Sequence, residues 1–135
     1  MFHVLLVDDE PNILSALRRS LAAIDVRLLD GEALHFEMFT LPEAAIERCD
    51  DQDFDLVISD YRMPSMNGVE FLANVMKLQP AVPRMIISGY ADRDAIIAAV
   101  NEVHLSRFLE KPWDDQELRD AVVSLLGSGR RAVRS

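Results

Sequence analysis

The chain lacks most features that mark secreted, membrane-bound or nucleic-acid-binding proteins. It has one cysteine, Cys49, among 135 residues, so no internal disulfide can form, which agrees with a reducing compartment such as the cytoplasm. No apolar run approaches the length of a membrane span, and Met1-Phe2-His3 lacks the basic start of a signal peptide. Lys and Arg number 14 against 23 Asp and Glu, a net charge of −9, which disfavours direct binding of nucleic acid.

Short apolar runs alternate with helical patterns along the chain, and half of the residues are hydrophobic. The runs are rich in Val, Leu and Ile, which is typical of strands buried on both faces. They span Phe2–Val7, Leu34–Phe39, Phe54–Ser59, Pro83–Ser88 and Arg107–Glu110. Because a helical pattern follows each run, the sequence predicts one α/β domain with a five-stranded parallel sheet covered on both faces.

Local signals indicate where three of the helices begin. The segment from Thr40 to Glu43 has the spacing of a capping box before the second helix. Asp92 is placed to cap the fourth helix, and Asp114 is placed to cap the fifth. The Ile24–Ala33 connection is longer than a tight unit needs, and the sequence suggests no function for it.

Polar side chains lie at the predicted ends of four strands: Asp8, Asp9, Asp60, Ser88 and Lys111. In open parallel sheets, ligands bind beyond the carboxyl ends of the strands, so we expect these side chains to meet at one edge. Each has an ordinary alternative taken singly: the acids as helix or turn caps, the serine as a turn residue, and the lysine as a solvated cation. Their combination favours a functional site.

The three carboxylates favour a divalent cation, because clustered acids repel one another unless a cation joins them. Mg²⁺ takes oxygen ligands, and Asp9 and Asp60 each offer one, while Asp8 ligates it directly or through water. The backbone carbonyl of Arg62, two residues past Asp60, is placed to supply another. Asp60 also offers a nucleophilic oxygen that can hold a phosphoryl group as an acyl phosphate.

The remaining groups at this edge suit a transferred phosphoryl group. Lys111 would pair with one of its oxygens, and the Ser88 hydroxyl would donate to another. Gly89 leaves room for the group, and Arg62 and Tyr90 should flank it. We expect Tyr90 to crowd the attacking water and slow the loss of phosphate.

Four segments in this order resemble the receiver domain of two-component response regulators of the chemotaxis-receiver kind. They are Leu6–Pro11, Ser59–Pro64 with Asn67-Gly68, Ser88–Tyr90 and Phe108–Pro112. The similarity covers about residues 2–126, which we assign to the receiver domain. It implies a flavodoxin-like, doubly wound (βα)5 fold with strand order 2-1-3-4-5.

The resemblance also implies a function. It implies that Asp60 accepts phosphate from a histidine kinase or a phosphotransfer protein, with Mg²⁺ held by Asp8, Asp9, Asp60 and the Arg62 carbonyl. It implies that Ser88 and Phe108 form a switch pair, although Phe108 as an ordinary core residue stays open. Phosphorylation should then reshape the face of the fourth helix, fifth strand and fifth helix, which contacts a partner or a second receiver in a homodimer. A cis Lys111-Pro112 bond is also expected.

Residues 127–135, beginning Gly127-Ser128-Gly129, predict a flexible tail or the start of a linker to an output domain. The stretch around Trp113 resembles receivers that precede metal-dependent phosphodiesterase or other non-DNA output modules. The alternative is that Trp113 packs against the start of the fifth helix.

The competing interpretation is an enzyme, a small Mg²⁺-dependent phosphohydrolase of the haloacid dehalogenase type. That class requires Asp-x-Asp after its first strand, whereas this chain has Asp8-Asp9-Glu10 there and no room for a cap module. We therefore expect a cytoplasmic signalling domain that binds no membrane and turns over no external substrate.

Overall fold

Five parallel strands form one sheet in the order β2-β1-β3-β4-β5. The computed structural model describes residues 1–134, with side chains described as far as Gly127. The strands are β1 (Phe2–Val7), β2 (Leu34–Phe39), β3 (Leu56–Ser59), β4 (Arg84–Ser88) and β5 (Arg107–Glu110). The helices are α1 (Pro11–Ala22), α2 (Pro42–Asp51), α3 (Gly68–Leu78), α4 (Arg93–Ala98) and α5 (Asp115–Arg134). The predicted fold class and strand order are confirmed.

The sheet separates two hydrophobic clusters, one on each face. Side chains alternate along β1, so Val4 and Leu6 contribute to one cluster while Leu5 and Val7 contribute to the other. The first cluster includes buried residues of α1 and α5, and the second includes those of α2, α3 and α4. Burial of both faces explains why the inner strands β1, β3 and β4 are mainly apolar in the sequence, whereas the edge strands β2 and β5 are partly exposed and include polar residues.

The predicted helix starts are partly confirmed. The prediction of a capping box at Thr40 is wrong: α2 has Leu41 at its N-cap with no side-chain cap, and Pro42 at the first helical position begins the helix instead. A capping box is formed at Asn67, whose side chain accepts from the backbone N–H of Glu70. The Asp114 carboxylate accepts from the backbone N–H of Glu117, as the sequence predicts.

Two connecting segments differ from simple loops. The Ile24–Ala33 connection contains a 3₁₀ helix at Val26–Leu29, and Leu29 is buried in the first hydrophobic cluster. Helix α5 continues to Arg134, through most of the segment expected to be a tail, and Ser135 lies outside the described residues. Its role as a linker stays a prediction. Among the described residues, no helix combines the length and apolar character needed to cross a bilayer.

Candidate functional site

Backbone pairing brings the ends of β1, β3, β4 and β5 to one edge of the sheet. Val7 lies opposite Ser59, and the N–H of Asp60 donates to the Val7 carbonyl at 3.0 Å. The N–H of Lys111 donates to the Ser88 carbonyl at 2.9 Å. The parallel register therefore places the predicted site residues that follow these strands side by side.

Lys111 joins the two buried acids of this site. Its Nζ lies 3.0 Å from Asp8 Oδ2 and 3.4 Å from Asp60 Oδ2. Asp8 is 1% exposed and Asp60 8% exposed, whereas Asp9 lies on the surface. Asp8, Asp9 and Asp60 each present a carboxylate oxygen within 4.8 Å of the other two. The structure thus brings together the three acids and the lysine that the sequence singles out.

Burial and charge act against each other at this site. Burial raises the pKa of Asp8, helped by the nearby charge of Asp60, and outweighs the hydrogen bonds from Glu10 and Lys111 that lower it. Burial alone would lower the pKa of Lys111, but its hydrogen bond with Asp8 and the charges of Asp8 and Asp60 hold that pKa above its usual value. Lys111 therefore remains cationic, and the acids lack full compensation for their charge.

The donor set fits the magnesium ion that the sequence predicts. Asp8 Oδ1 accepts from the Glu10 N–H at 2.9 Å, and Asp60 Oδ1 accepts from the Tyr61 N–H at 2.7 Å, so backbone contacts hold both carboxylates in one orientation. The cluster offers oxygen alone, which a hard divalent cation prefers. Three carboxylates against one ammonium also leave negative charge for such an ion to neutralise.

The loop after β3 passes close to the backbone of Asp60. Gly68 donates its N–H to the Tyr61 carbonyl at 2.7 Å. A Cβ added at Gly68 would lie well inside the contact distance of the Asp60 carbonyl oxygen and 3.0 Å from the Tyr61 Cα. Glycine is required at this position because only a residue without a side chain permits this approach.

The other predicted site residues lie around the same edge with different exposure. Ser88 is buried at the end of β4, and Gly89 is partly exposed beside it, with nothing within 4 Å of an added Cβ. Tyr90 is 72% exposed. Phe108 is half-buried and packs against the second hydrophobic cluster, as either a switch residue or a core residue would. Trp113 packs against the first cluster and donates to Asp115 at the start of α5.

Asp92 is a site residue that the sequence analysis treats only as a helix cap. It occupies the N-cap of α4 but makes no side-chain capping bond. Its carboxylate instead accepts from Ser88 Oγ at 3.0 Å and from Arg62 Nε at 2.7 Å. No spacing in the sequence signals this contact, because Ser88 ends a strand and the 3₁₀ turn at Tyr90–Asp92 brings the two side chains together. The Lys111-Pro112 bond is cis, as expected.

A second group of metal-ligating residues lies on β1 and β2, away from this edge. His3 and His35 are opposite one another in the ladder, and with Glu37 they offer ligand atoms within 4.8 Å of one another. Both Glu37 oxygens, however, accept from the Arg48 guanidinium, at 2.6 and 3.2 Å. Because a cation already neutralises this carboxylate, we assign no metal to the group.

Comparison with known sequences identifies the family. The sequence model of the response regulator receiver domain family matches residues 4–123. The chain belongs to this family. Among its relatives, the hydrogenase transcriptional regulatory protein HoxA of Cupriavidus necator is 39% identical over 121 residues, which cover 88% of this chain. The receiver spans only 23% of the length of HoxA, so the relative carries much that this chain does not contain.

Solved structures share the receiver fold. The signal receiver domain of an HD domain-containing protein from Pseudomonas fluorescens has a TM-score of 0.83 and 32% identity, covering 98% of this chain and 92% of that one. The response regulator TrrA of Thermotoga maritima, in complex with Mg²⁺ and BeF, has a TM-score of 0.74 and 24% identity, covering 93% and 99%. The second likeness shows the fold alone. None of these findings supports the haloacid dehalogenase interpretation.

Proposed function

We propose that this receiver accepts a phosphoryl group on Asp60 from a histidine kinase or a phosphotransfer protein, in a reaction that requires Mg²⁺. The observation that carries the proposal is the contact of Lys111 Nζ with both Asp8 and Asp60, beside a third carboxylate at the carboxyl edge of the sheet. This arrangement provides a nucleophilic oxygen and a fixed cation, together with ligands for a divalent ion.

The chemistry is a transfer between two carriers. A carboxylate oxygen of Asp60 forms a bond to phosphorus as the bond from phosphorus to the donor's imidazole nitrogen breaks, and the nitrogen takes that electron pair. Lys111 pairs with the negative oxygens of the transferred group, and Ser88 Oγ donates a hydrogen bond to it. Asp8, Asp9, Asp60 and the Arg62 carbonyl would hold Mg²⁺, which, when bound, supplies positive charge beside the acceptor.

The output is conformational rather than catalytic. In this proposal the domain catalyses its own phosphorylation, turns over no external substrate and acts in the cytoplasm. Ser88 and Phe108 respond to the phosphoryl group, and the face formed by α4, β5 and α5 transmits the change to a partner or to a second receiver. Differential binding of about 1–3 kcal/mol is the usual scale of such coupling.

An output domain joined beyond residue 135 is part of the proposal. One structural neighbour is the receiver of an HD domain-containing protein, which supports a non-DNA output. The name of HoxA, a transcriptional regulatory protein, favours gene regulation instead. Sequence identity does not favour the HD-associated receiver, at 32% against 39% for HoxA. The stretch around Trp113 leads us to propose the non-DNA output, of the phosphodiesterase kind.

The proposed reaction is tested by incubating the purified chain with acetyl phosphate and Mg²⁺ and measuring its intact mass. We expect one phosphoryl group per chain in the wild type and in Asp53→Asn, a control that changes one exposed acid. We expect none in Asp60→Asn or after chelation of the metal. Labelling of Asp60→Asn, or no labelling of the wild type, would contradict the proposal, and steady turnover of a generic phosphate ester would favour a hydrolase.

A further inference from the structure

Asp92 connects the proposed phosphorylation site to the first turn of α4. It is 6% exposed, and both of its oxygens have partners. Oδ2 accepts from the Ser88 hydroxyl at 3.0 Å, and Oδ1 accepts from Arg62 Nε at 2.7 Å. Ser88 ends β4, and Arg62 follows Asp60 by two residues, so this carboxylate contacts both segments that border the acceptor.

The Asp92 carboxylate makes these contacts instead of capping its helix. An Asp at an N-cap normally accepts from a backbone N–H of the first turn, and losing that bond destabilises the helix. Asp92 makes no such bond, although it occupies the N-cap of α4. Its side chain is therefore committed to Ser88 and Arg62, and its backbone N–H donates to the Gly89 carbonyl at 3.1 Å.

The hydrogen bond to Asp92 conflicts with the proposed role of Ser88. A serine hydroxyl carries one proton and can donate it to one strong acceptor at a time. In this structure that acceptor is Asp92, a buried carboxylate. If Ser88 is to donate to a phosphoryl oxygen on Asp60, it must first release Asp92.

Arg62 stabilises the charged form of the Asp92 carboxylate, the acceptor that competes for the Ser88 hydroxyl. Its side chain is 73% exposed, whereas that of Asp92 is 7% exposed, so an exposed cation pairs with a buried anion. The guanidinium, which carries its positive charge at any pH that the fold tolerates, donates from Nε to Asp92 Oδ1 at 2.7 Å. Because a buried carboxylate without a partner is costly, Arg62 allows Asp92 to remain charged when Ser88 leaves.

We propose that Asp92 is a positioning residue that holds the Ser88 hydroxyl in the unphosphorylated state, and that a phosphoryl group on Asp60 must compete with it for that hydroxyl. This proposal rests on the proposed function. Since Asp92 is also the N-cap of α4, the release of Ser88 changes a contact at the start of that helix. The competition thus provides a physical link between phosphate at the sheet edge and the α4 surface.

The test measures the affinity for beryllofluoride in saturating Mg²⁺, followed by the fluorescence of Trp113, the only tryptophan of the chain. Beryllofluoride is the probe because it mimics a phosphoryl group on a carboxylate. We expect Asp92→Ala to bind roughly five- to tenfold more tightly than the wild type, since one charge-assisted hydrogen bond no longer opposes binding. Asp94→Ala is the matched control, because Asp94 is an exposed acid in the first turn of α4, and we expect no change there.

A double-mutant cycle separates this role from a general loosening of α4. In a Ser88→Ala background there is no hydroxyl to release, so the gain from Asp92→Ala should fall below about twofold. If Asp92→Ala is too unstable to measure, Asp92→Asn keeps the volume of the side chain and should tighten binding to a smaller extent. Unchanged or weaker binding by both variants, or an equal gain with and without Ser88, would overturn the proposal.

The outcome also distinguishes this proposal from the proposed function. If wild type binds beryllofluoride and Asp60→Asn does not, the phosphoacceptor assignment stands whatever the Asp92 variants do. If wild type fails to bind, the proposed function fails and the role of Asp92 fails with it.

Discussion

At the scale of single residues, side chains of the same type and adjacent in sequence differ in how deeply they are buried. Asp8 and Asp9 are adjacent acids, yet Asp8 is buried against Lys111 and Asp9 lies on the surface. Burial raises the pKa of Asp8, so the ionised form of this residue carries a cost to folding that a cation bound as proposed would offset. Two adjacent carboxylates at a strand end are therefore in different environments, one buried and paired with a lysine and the other exposed.

Cys49 shows the same effect of depth on a nucleophile and permits a residue-scale prediction. Burial, with smaller contributions from the charges of Asp50 and Glu37, raises its pKa to about 11 from a usual 9.0. At pH 8 the folded chain should therefore hold about a hundredfold less thiolate than the unfolded chain. We expect iodoacetamide to modify Cys49 slowly in buffer and rapidly in concentrated urea, as followed by intact mass.

The same shift predicts how the stability of the fold depends on pH. Above pH 9 the thiol of the unfolded chain ionises while the folded one stays protonated, so this group lowers the free energy of unfolding as pH rises towards about 11. Equal labelling rates in buffer and in urea would show that the thiol is accessible in the native state and would contradict both expectations.

At the scale of elements, Gln79 connects three segments at the end of the sheet opposite the site. It is the C-cap residue of α3 and is 9% exposed. Its amide oxygen accepts from the N–H of Phe54 at 2.9 Å, and its amide nitrogen donates to the carbonyls of Cys49 at 3.0 Å and Gln52 at 2.8 Å. One side chain thus joins the end of α3 to the end of α2 and to the residues that precede β3.

We predict that Gln79→Ala lowers the free energy of unfolding by about 2–4 kcal/mol, because it leaves buried backbone groups without these partners. Urea denaturation followed by circular dichroism measures the change. Lys77→Ala, at an exposed position of the same helix, should alter stability by less than about 0.5 kcal/mol. Beryllofluoride binding should be retained by the folded fraction of both variants, and its loss in Gln79→Ala would show that the two ends of the sheet are coupled.

The elements also show how far the sequence predicts this fold. Strand β1 could be predicted because burial on both faces leaves residues 4–7 as an apolar run, and Asp8 and Asp60 could be placed because each follows such a strand. Lys111 follows the partly exposed β5, in which only Phe108 and Leu109 are apolar. The start of α2 was misassigned, since two helix-start signals overlap there and Pro42 prevails over Thr40.

The contacts of Asp92 could not be predicted in the same way. They depend on the 3₁₀ turn at Tyr90–Asp92, which sets where the carboxylate points, and on the approach of Arg62 from another loop. Helix-cap spacing gives no information about either of these. Patterns along the chain predict which edge of the sheet carries the site, whereas side-chain partners across loops require the coordinates.

At the scale of the whole molecule, an excess of acid is carried into the interior at the site. The net charge of −9 already opposes compaction, and the described side chains place Lys111 against two buried acids. Folding therefore accepts an electrostatic cost at the sheet edge that a divalent cation would relieve, so ligand binding and stability are linked there.

This linkage predicts opposite effects for the two partners of one ion pair. An acid whose pKa is raised by folding destabilises the native state when ionised, so Asp8→Asn should raise the free energy of unfolding at pH 7 while weakening Mg²⁺ binding. Lys111→Met keeps the aliphatic stem but leaves Asp8 and Asp60 without their ammonium, which should lower stability by about 1–3 kcal/mol. Urea denaturation of the wild type and both variants, with and without Mg²⁺, measures the three free energies of unfolding and so tests their predicted order.

Mg²⁺ provides the control that assigns the effects to charge. It should stabilise the wild type and Lys111→Met, because both retain the three acids, and should stabilise Asp8→Asn less. If Asp8→Asn proved less stable than the wild type in the absence of metal, the hydrogen bonds of Asp8 with Glu10 and Lys111 would outweigh its burial. The contacts of Asp8 would then stabilise the fold without a cation, and the proposed binding of a cation and a phosphoryl group would come at no cost in stability.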